Sequence, residues 1–166
     1  MAFKRTYLQA RNLREEAEGK IKDYDSIFGS MKKDYELLRT TGIPTKAFVD
    51  EDGEAQIVVV TKQCWNHLFN HAHKRPSKIE KLERALCFPM AVKLLKKATT
   101  YQERSLERDK GGNRYLSFGI IGYIRGNRIK VIIRKQERNT NPKLVLFSFY
   151  QMSAAPLKKT GGKDIP

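Results

Sequence analysis

The sequence predicts an α+β fold, in which N-terminal helices are followed by a four-stranded, mainly antiparallel sheet with packed helices. Three observations lead to this fold class. Apolar side chains follow helical spacing over residues 4–40, the spacing changes at Thr45, and residues 99–151 alternate β-branched and aromatic runs with turn sequences. At 166 residues the chain has the length of one domain with a sizeable core.

The N-terminal part predicts two helices, at about residues 4–22 and 31–40. The polar, glycine-containing segment DYDSIFGS separates them, and the second helix ends before Gly42 and Pro44. Neither helix carries a side-chain pattern typical of a catalytic site. We interpret them as a helical prefix that packs on the rest of the chain and can also offer a surface to a partner.

A hairpin and a helix are predicted next. Residues 46–49 and 54–60 flank Asp52–Gly53, which supplies the positive φ of a tight turn. The apolar run Ile57–Val60 then leads to Thr61, whose hydroxyl is placed to cap a helix. The segment that follows carries the only Trp and all three His of the chain, so we expect the chemistry to lie there.

A second helix begins at Ser77, because Ser77 and Glu80 form the S-x-x-E pattern of a capping box. We expect this helix to end at Phe88–Pro89, since proline lacks the N–H that a helix interior requires. Residues 90–98 fit either a helix or an edge strand.

Four strands are predicted in the C-terminal half: residues 100–107, 114–124, 128–135 and 143–152. Gly126–Asn127 is the predicted turn between the second and third. Alternation in the third strand puts three β-branched side chains on one face and Arg128, Lys130 and Arg134 on the other. Alternation in the fourth strand puts Ser148 and Tyr150 away from its two Phe residues.

The charge is strongly basic and unevenly distributed. The net charge is +15; residues 1–60 hold 10 Lys+Arg against 11 Asp+Glu, whereas residues 61–166 hold 23 against 7. Such an imbalance favours a polyanionic partner, most often nucleic acid. No apolar run approaches the roughly 20 residues of a membrane span, and the first residues lack a signal-peptide h-region. We therefore expect a cytoplasmic protein with no membrane partner.

The two cysteines, Cys64 and Cys87, are isolated on apolar helical positions. We expect two buried free thiols and no thiolate zinc site, because no CxxC pair is present.

His67 and His71 lie one helical turn apart and admit three interpretations. As zinc ligands they lack the glutamate of the zincin pattern and a third ligand, so we expect no metal and no other cofactor. As structural residues they would be half-buried with satisfied N–H groups. As an acid–base pair, one imidazole takes the proton of the RNA 2′-hydroxyl and the other protonates the leaving 5′-oxygen.

These residues occur in an order that resembles the BECR nuclease superfamily, which groups barnase, EndoU-type, colicin-type and RelE-type RNases; the phage-associated barnase-like members are most similar. The resemblance covers about residues 55–151: an apolar strand, W-x-H-x-x-x-H on a helix, an LERAL helix, and a sheet whose last strand carries an S/T-x-Y-type pattern. Two departures are present. Ala72 replaces the usual proline after the second histidine, and the GGNRYLSFGIIGYIRG stretch is longer than a typical hairpin.

The resemblance implies a metal-independent endoribonuclease, commonly a toxin inhibited by an antitoxin or immunity protein. The residue pattern itself predicts a helical prefix over residues 1–44 and a flexible tail over residues 154–166, and the BECR-like nuclease domain is expected over residues 45–153. Carried over by position, the catalytic candidates are His67, His71, Arg84 and Ser148. Arg84 has the alternative of pairing with Glu80, and Ser148 that of an ordinary sheet hydroxyl.

The remaining candidate residues are predicted to contact the RNA substrate. Arg114, Arg128, Lys130 and Arg134 form a predicted groove for the phosphate backbone, and Tyr115 and Tyr150 are placed to stack on unpaired bases or to fill the core. The alternative is a non-catalytic nucleic-acid-binding protein on a similar sheet.

Overall fold

The structure, a computed structural model, describes residues 12–70, 75–137 and 142–152, and the backbone of residues 164–165. Its helices are α1 (Leu13–Gly19), α2 (Tyr24–Thr41), α3 (Lys62–Phe69) and α4 (Lys78–Lys97), with a 3₁₀ turn at Ile21–Asp23. Its strands are β1 (Ile43–Val49), β2 (Ala55–Val59), β3 (Glu103–Arg108), β4 (Arg114–Ile124), β5 (Asn127–Gln136), β6 (Leu144–Gln151) and β7 (Asp164–Ile165). The α+β class is confirmed.

The sheet is larger than the predicted four strands. Six strands lie in the order β1-β2-β6-β5-β4-β3, and β7 pairs with β4. The β1–β2 hairpin joins the sheet because β2 pairs in parallel with β6, Val58 beside Leu144. The other four pairs of neighbouring strands in this order are antiparallel. The sheet curls so far that Phe48 of β1 contacts Phe118 of β4, with ring centroids 4.9 Å apart.

Helix α4 covers one face of the sheet, which we call the inner face; the opposite face is the outer face. The predicted end of this helix at Phe88–Pro89 is wrong, because α4 continues through Pro89 to Lys97, and residues 90–97 are helical. An internal proline costs about 3 kcal/mol. The apolar side chains on both sides of Pro89 offset this cost by burial. Those fully or almost fully buried are Leu82, Ala85, Cys87, Phe88, Ala91, Leu94 and Leu95.

The N-terminal helices share this core. The predicted break at DYDSIFGS is wrong, since α2 runs unbroken from Tyr24 to Thr41. The segment's polar residues point outward while Met31 and Tyr35 are buried, so burial outweighs the weak helix propensity of the segment. The Tyr35 hydroxyl donates to the carbonyl oxygen of Thr61 at 2.6 Å, which joins α2 to the start of α3. Residues 4–11 of the first predicted helix lie outside the described residues.

The predicted boundaries between the prefix, the nuclease domain and the tail can be compared with the positions of the strands. The boundary after residue 44 lies inside β1, and the Leu13 N–H of α1 donates to Gln151 Oε1 of β6 at 2.9 Å. Of residues 154–166, Asp164–Ile165 pair with β4, and the others lie outside the described residues. None of the described helices is long and apolar enough to cross a membrane.

Two local details alter the predicted strands. The tight β4–β5 turn consists of Arg125 and Gly126, with φ of 50° and 78°, and Asn127 begins β5. In β6 a bulge interrupts the alternation at Phe147, because Ser148 lies opposite Ile132 while Leu146 lies opposite Ile133. Phe149 therefore faces inward with Leu144 and Leu146, whereas simple alternation places it with Phe147.

Candidate functional site

A cleft of about 460 Å³ lies on the outer face, between α3 and the sheet. It is on the side of the sheet opposite α4, and apart from Cys64 and Leu146 its lining residues do not belong to the buried core. The lining side chains that bear on chemistry are His67, Asp109, Tyr115, Arg134, Lys143 and Phe147.

Helix α3 places His67 at the wall of this cleft. The predicted cap is confirmed, because the Thr61 hydroxyl accepts a hydrogen bond from the Cys64 N–H at 3.1 Å. Cys64, Leu68 and Phe69 are buried and fix the rotation of the helix. The half-buried His67 ring then stacks on Phe147, with centroids 4.6 Å apart and planes at 29°.

Arg134 lies against the same phenylalanine. Its guanidinium carbon is 3.3 Å from the centroid of Phe147 and 5.8 Å from that of Tyr115. The distance between the His67 ring centre and the Arg134 guanidinium carbon is therefore at most the sum of their distances to the centroid of Phe147. The cleft thus holds an imidazole, a guanidinium and a phenol around one aromatic ring.

The β3–β4 turn closes the cleft with Asp109. Its carboxylate accepts hydrogen bonds from the N–H and side-chain amide of Asn113, at 2.9 and 3.0 Å, and these bonds lower its pKa. The Tyr115 hydroxyl donates to the same carboxylate at 3.3 Å. Because Asp109 is ionised and held by its own turn, it fixes Tyr115.

The predicted catalytic residues do not all meet here. His71 lies outside the described residues. Arg84 donates to the carbonyl oxygen of Leu68 near the C-terminal end of α3, and Glu80 accepts from the N–H of Ser77 in the confirmed capping box. Ser148 lies on the outer face beyond the bulge and does not line the cleft. Of the four candidates, the structure places only His67 in the cleft.

The predicted phosphate groove is divided between the two faces. Arg128, Lys130 and Arg134 point to the outer face, but Arg114 points to the opposite face, since its neighbour Tyr115 lines the cleft. The structure therefore does not bring Arg114 together with the other three cations, and its Nε lies 2.8 Å from a carboxylate oxygen of Glu137.

Two of the outer-face cations, Lys130 and Arg134, have anionic partners. Lys130 forms an ion pair with Glu103, and this hydrogen bond raises the pKa of Lys130. Arg134 Nη2 lies 2.7 Å from a carboxylate oxygen of Glu107. Tyr150 lies directly opposite Lys130 on β6 and is 42% exposed.

The sequence analysis missed three cleft residues. Alternation placed Phe147 away from Ser148 and Tyr150, but no local signal shows that its ring contacts His67 and Arg134. Asp109 and Lys143 flank predicted strands, where a turn carboxylate and a strand-end lysine are common. Nothing local distinguishes these two from other loop charges.

Both cysteines are free and buried, as predicted. Burial raises the pKa of Cys64 to about 11 and that of Cys87 to about 12. Among the residues that the structure describes, no group of three His, Cys, Asp or Glu side chains is placed to hold a metal ion.

No family model, curated protein or solved structure matches this chain.

Proposed function

We propose that the protein is a metal-independent endoribonuclease of the toxin class, which cleaves single-stranded RNA in tRNA or mRNA by acid–base transesterification. The observation that carries this proposal is the cleft itself, in which His67 and Arg134 lie against one aromatic ring beside Tyr115. The excess of cations in residues 61–166 supports a polyanionic substrate.

The chemistry needs a base, an acid and a phosphate contact. The 2′-oxygen attacks phosphorus while the P–O5′ bond breaks, giving a 2′,3′-cyclic phosphate and a 5′-hydroxyl. His67 transfers one of the two protons, and His71, four residues further along the sequence, is our candidate for the other. Arg134 stabilises the additional negative charge on the phosphorane oxygens.

The aromatic side chains set the class of RNA. Tyr115 lines the cleft with a ring on which an unpaired base can stack, and such stacking requires a single strand or loop. Phe147 instead holds the His67 ring and the Arg134 guanidinium in place. A cleft of about 460 Å³ has room for one unstacked nucleotide and not for a duplex. An antitoxin or immunity protein that covers this cleft would be the natural inhibitor.

The test is incubation of purified protein with total RNA in EDTA. We expect discrete fragments from the wild type and a 10²- to 10⁴-fold slower reaction from His67→Gln, the usual range for loss of a general acid or base (about 3–5 kcal/mol). His71→Gln tests the second proton transfer. Arg134→Gln has a matched control in Arg39→Gln, because Arg39 also pairs with a glutamate, at 3.0 Å, but on α2.

A second candidate function is non-catalytic binding of single-stranded nucleic acid. The observation in its favour is that the His67 ring is already packed on Phe147, as a structural histidine would be. Salt-sensitive RNA binding by wild type and His67→Gln alike, with no cleavage by either, would replace the nuclease proposal with this one.

A further inference from the structure

The inner face carries a second basic surface at the β3–β4 end of the sheet. The register places Arg108 of β3 directly opposite Arg114 of β4. Directly opposite residues on antiparallel strands have Cβ atoms only about 5 Å apart, so a like-charge pair destabilises the sheet. Fold stability therefore gives no reason to place two arginines directly opposite each other.

Two more cations extend this surface, which we call the back patch. Arg104 lies two register positions along the inner face from Leu106, and Lys135 of β5 pairs with Leu116. The back patch consists of Arg104, Arg108, Arg114 and Lys135. Its one acidic partner among the described residues is Glu137, on Arg114.

The edge strand leaves the patch accessible. Arg104 and Arg108 are exposed and have no ion pair or hydrogen bond through their side chains to any described residue, and Leu106 between them is 50% exposed. The two arginines are four positions apart on the strand, a distance of about 13 Å. The patch is therefore an extended row of cations along a sheet edge.

The back patch differs from the cleft in one decisive respect. The cleft has the ring of Tyr115 for base stacking, whereas the side chains among the cations of the back patch are Leu106, Leu116 and Phe118, and Phe118 is only 6% exposed. Cations without stacking partners contact phosphate and not bases. A surface of this kind fits the backbone of a duplex, whose bases are already stacked.

We propose that the back patch binds the phosphate backbone of an RNA duplex that flanks the single strand held in the cleft. This inference rests on the proposed function for the identity of the nucleic acid. Adjacent residues connect the two surfaces, since Arg108 precedes Asp109 and Arg114 precedes Tyr115. The β3–β4 hairpin thus presents a single-strand site on one face and a duplex site on the other.

The test compares two RNA ligands by fluorescence anisotropy: a stem-loop and its loop alone, both with 2′-deoxyriboses in the loop. Removal of the 2′-hydroxyl prevents cleavage, so binding is measured whether or not the protein is a nuclease. For Arg104→Gln/Arg108→Gln we expect the stem-loop to bind about 10- to 100-fold more weakly at physiological salt, with the slope of log K against log salt smaller by about 2. Affinity for the loop alone should not change.

The matched control is Lys32→Gln/Lys33→Gln, which removes the same charge from exposed positions on α2 and should leave both affinities unchanged. Because Arg108→Gln also removes the like-charge contact, its urea midpoint should be higher than that of the wild type. Equal slopes for wild type and the arginine variant on the stem-loop would overturn the proposal. Weaker stem-loop binding by a protein that cleaves no RNA would keep the back patch and remove the nuclease.

Discussion

The two faces of the β3–β5 sheet treat positive charge in opposite ways. On the outer face, Lys130 of β5 pairs with Glu103 of β3, and Arg134 of β5 pairs with Glu107 of β3. On the inner face at the same end, Arg108 lies opposite Arg114. One face of the sheet therefore pairs two cations with glutamates, whereas the other places two arginines side by side with one glutamate, Glu137, on Arg114.

This difference shows that a cation on a strand is not by itself a binding residue. The side chains of Lys130 and Arg134 are 15% and 27% exposed, whereas those of Glu103 and Glu107 are 51% and 42% exposed. A phosphate approaching the outer face meets the glutamates first. The cross-strand neighbour thus decides how much positive potential a strand offers.

The largest expected effect concerns the thiols beneath the two faces, Cys64 at the cleft and Cys87 on α4. Because burial raises the pKa of Cys64 from 9.0 to about 11, its thiolate fraction at pH 8 is about 100-fold below that of a free thiol. We expect iodoacetamide to alkylate Cys64 at least that much more slowly, and Cys87 more slowly still. Mass spectrometry over a pH series measures both rates.

The direction of the pH dependence is a further check. A raised thiol pKa means that the rate continues to increase between pH 9 and pH 11, where a free thiol levels off. Cys64→Ser and Cys87→Ser assign each rate to one residue. Alkylation of Cys64 at the rate of a free thiol would show that the cleft opens and that the outer face is not packed as described.

The next effect tests the glutamate pairs on the outer face. Glu103→Gln/Glu107→Gln frees Lys130 and Arg134 for phosphate, so affinity for the deoxy-substituted loop should increase about tenfold, with a salt slope steeper by about 1.4. The control is Glu18→Gln/Glu36→Gln, which removes two glutamates paired with arginines on α1 and α2. Unchanged affinity would mean that neither outer-face cation contacts nucleic acid.

The same variant also separates the faces by stability. Loss of two partly exposed ion pairs should lower the free energy of unfolding by about 0.5–2 kcal/mol in total. Arg108→Gln on the inner face should change it in the opposite direction. Urea titrations of the two variants measure this contrast.

The smallest effect concerns Arg125, which destabilises the protein through its backbone conformation and not through its charge. Arg125 has φ of 50° in the β4–β5 turn, in the left-handed region that favours glycine. Arg125→Gly should raise the free energy of unfolding by about 0.5–1 kcal/mol. Gly126→Ala, at φ of 78°, is the reverse control and should lower it. A less stable Arg125→Gly protein would show that the arginine side chain makes a contact worth more than the strain.

The sequence by itself determined the local elements of this protein. The Thr61 cap, the Ser77 capping box and the β1–β2 and β4–β5 hairpins depend on residues a few positions apart, so their signals are complete within a short window. The predicted bounds of β4 agree with the structure for the same reason. In the site, helical spacing placed His67 beside the apolar stripe of α3, where the cleft lies.

Tertiary structure decided how those elements combine. Pro89 stays inside α4 because buried residues on both sides outweigh the lost hydrogen bond, and β2 joins the sheet because β6 lies beside it. The partner of Lys130 is Glu103, 27 residues earlier on another strand. Such pairs follow from sheet register, which depends on packing of the whole chain and on the bulge at Phe147. Sequence therefore predicted which residues carry charge, and only the register decided which of those charges remain available.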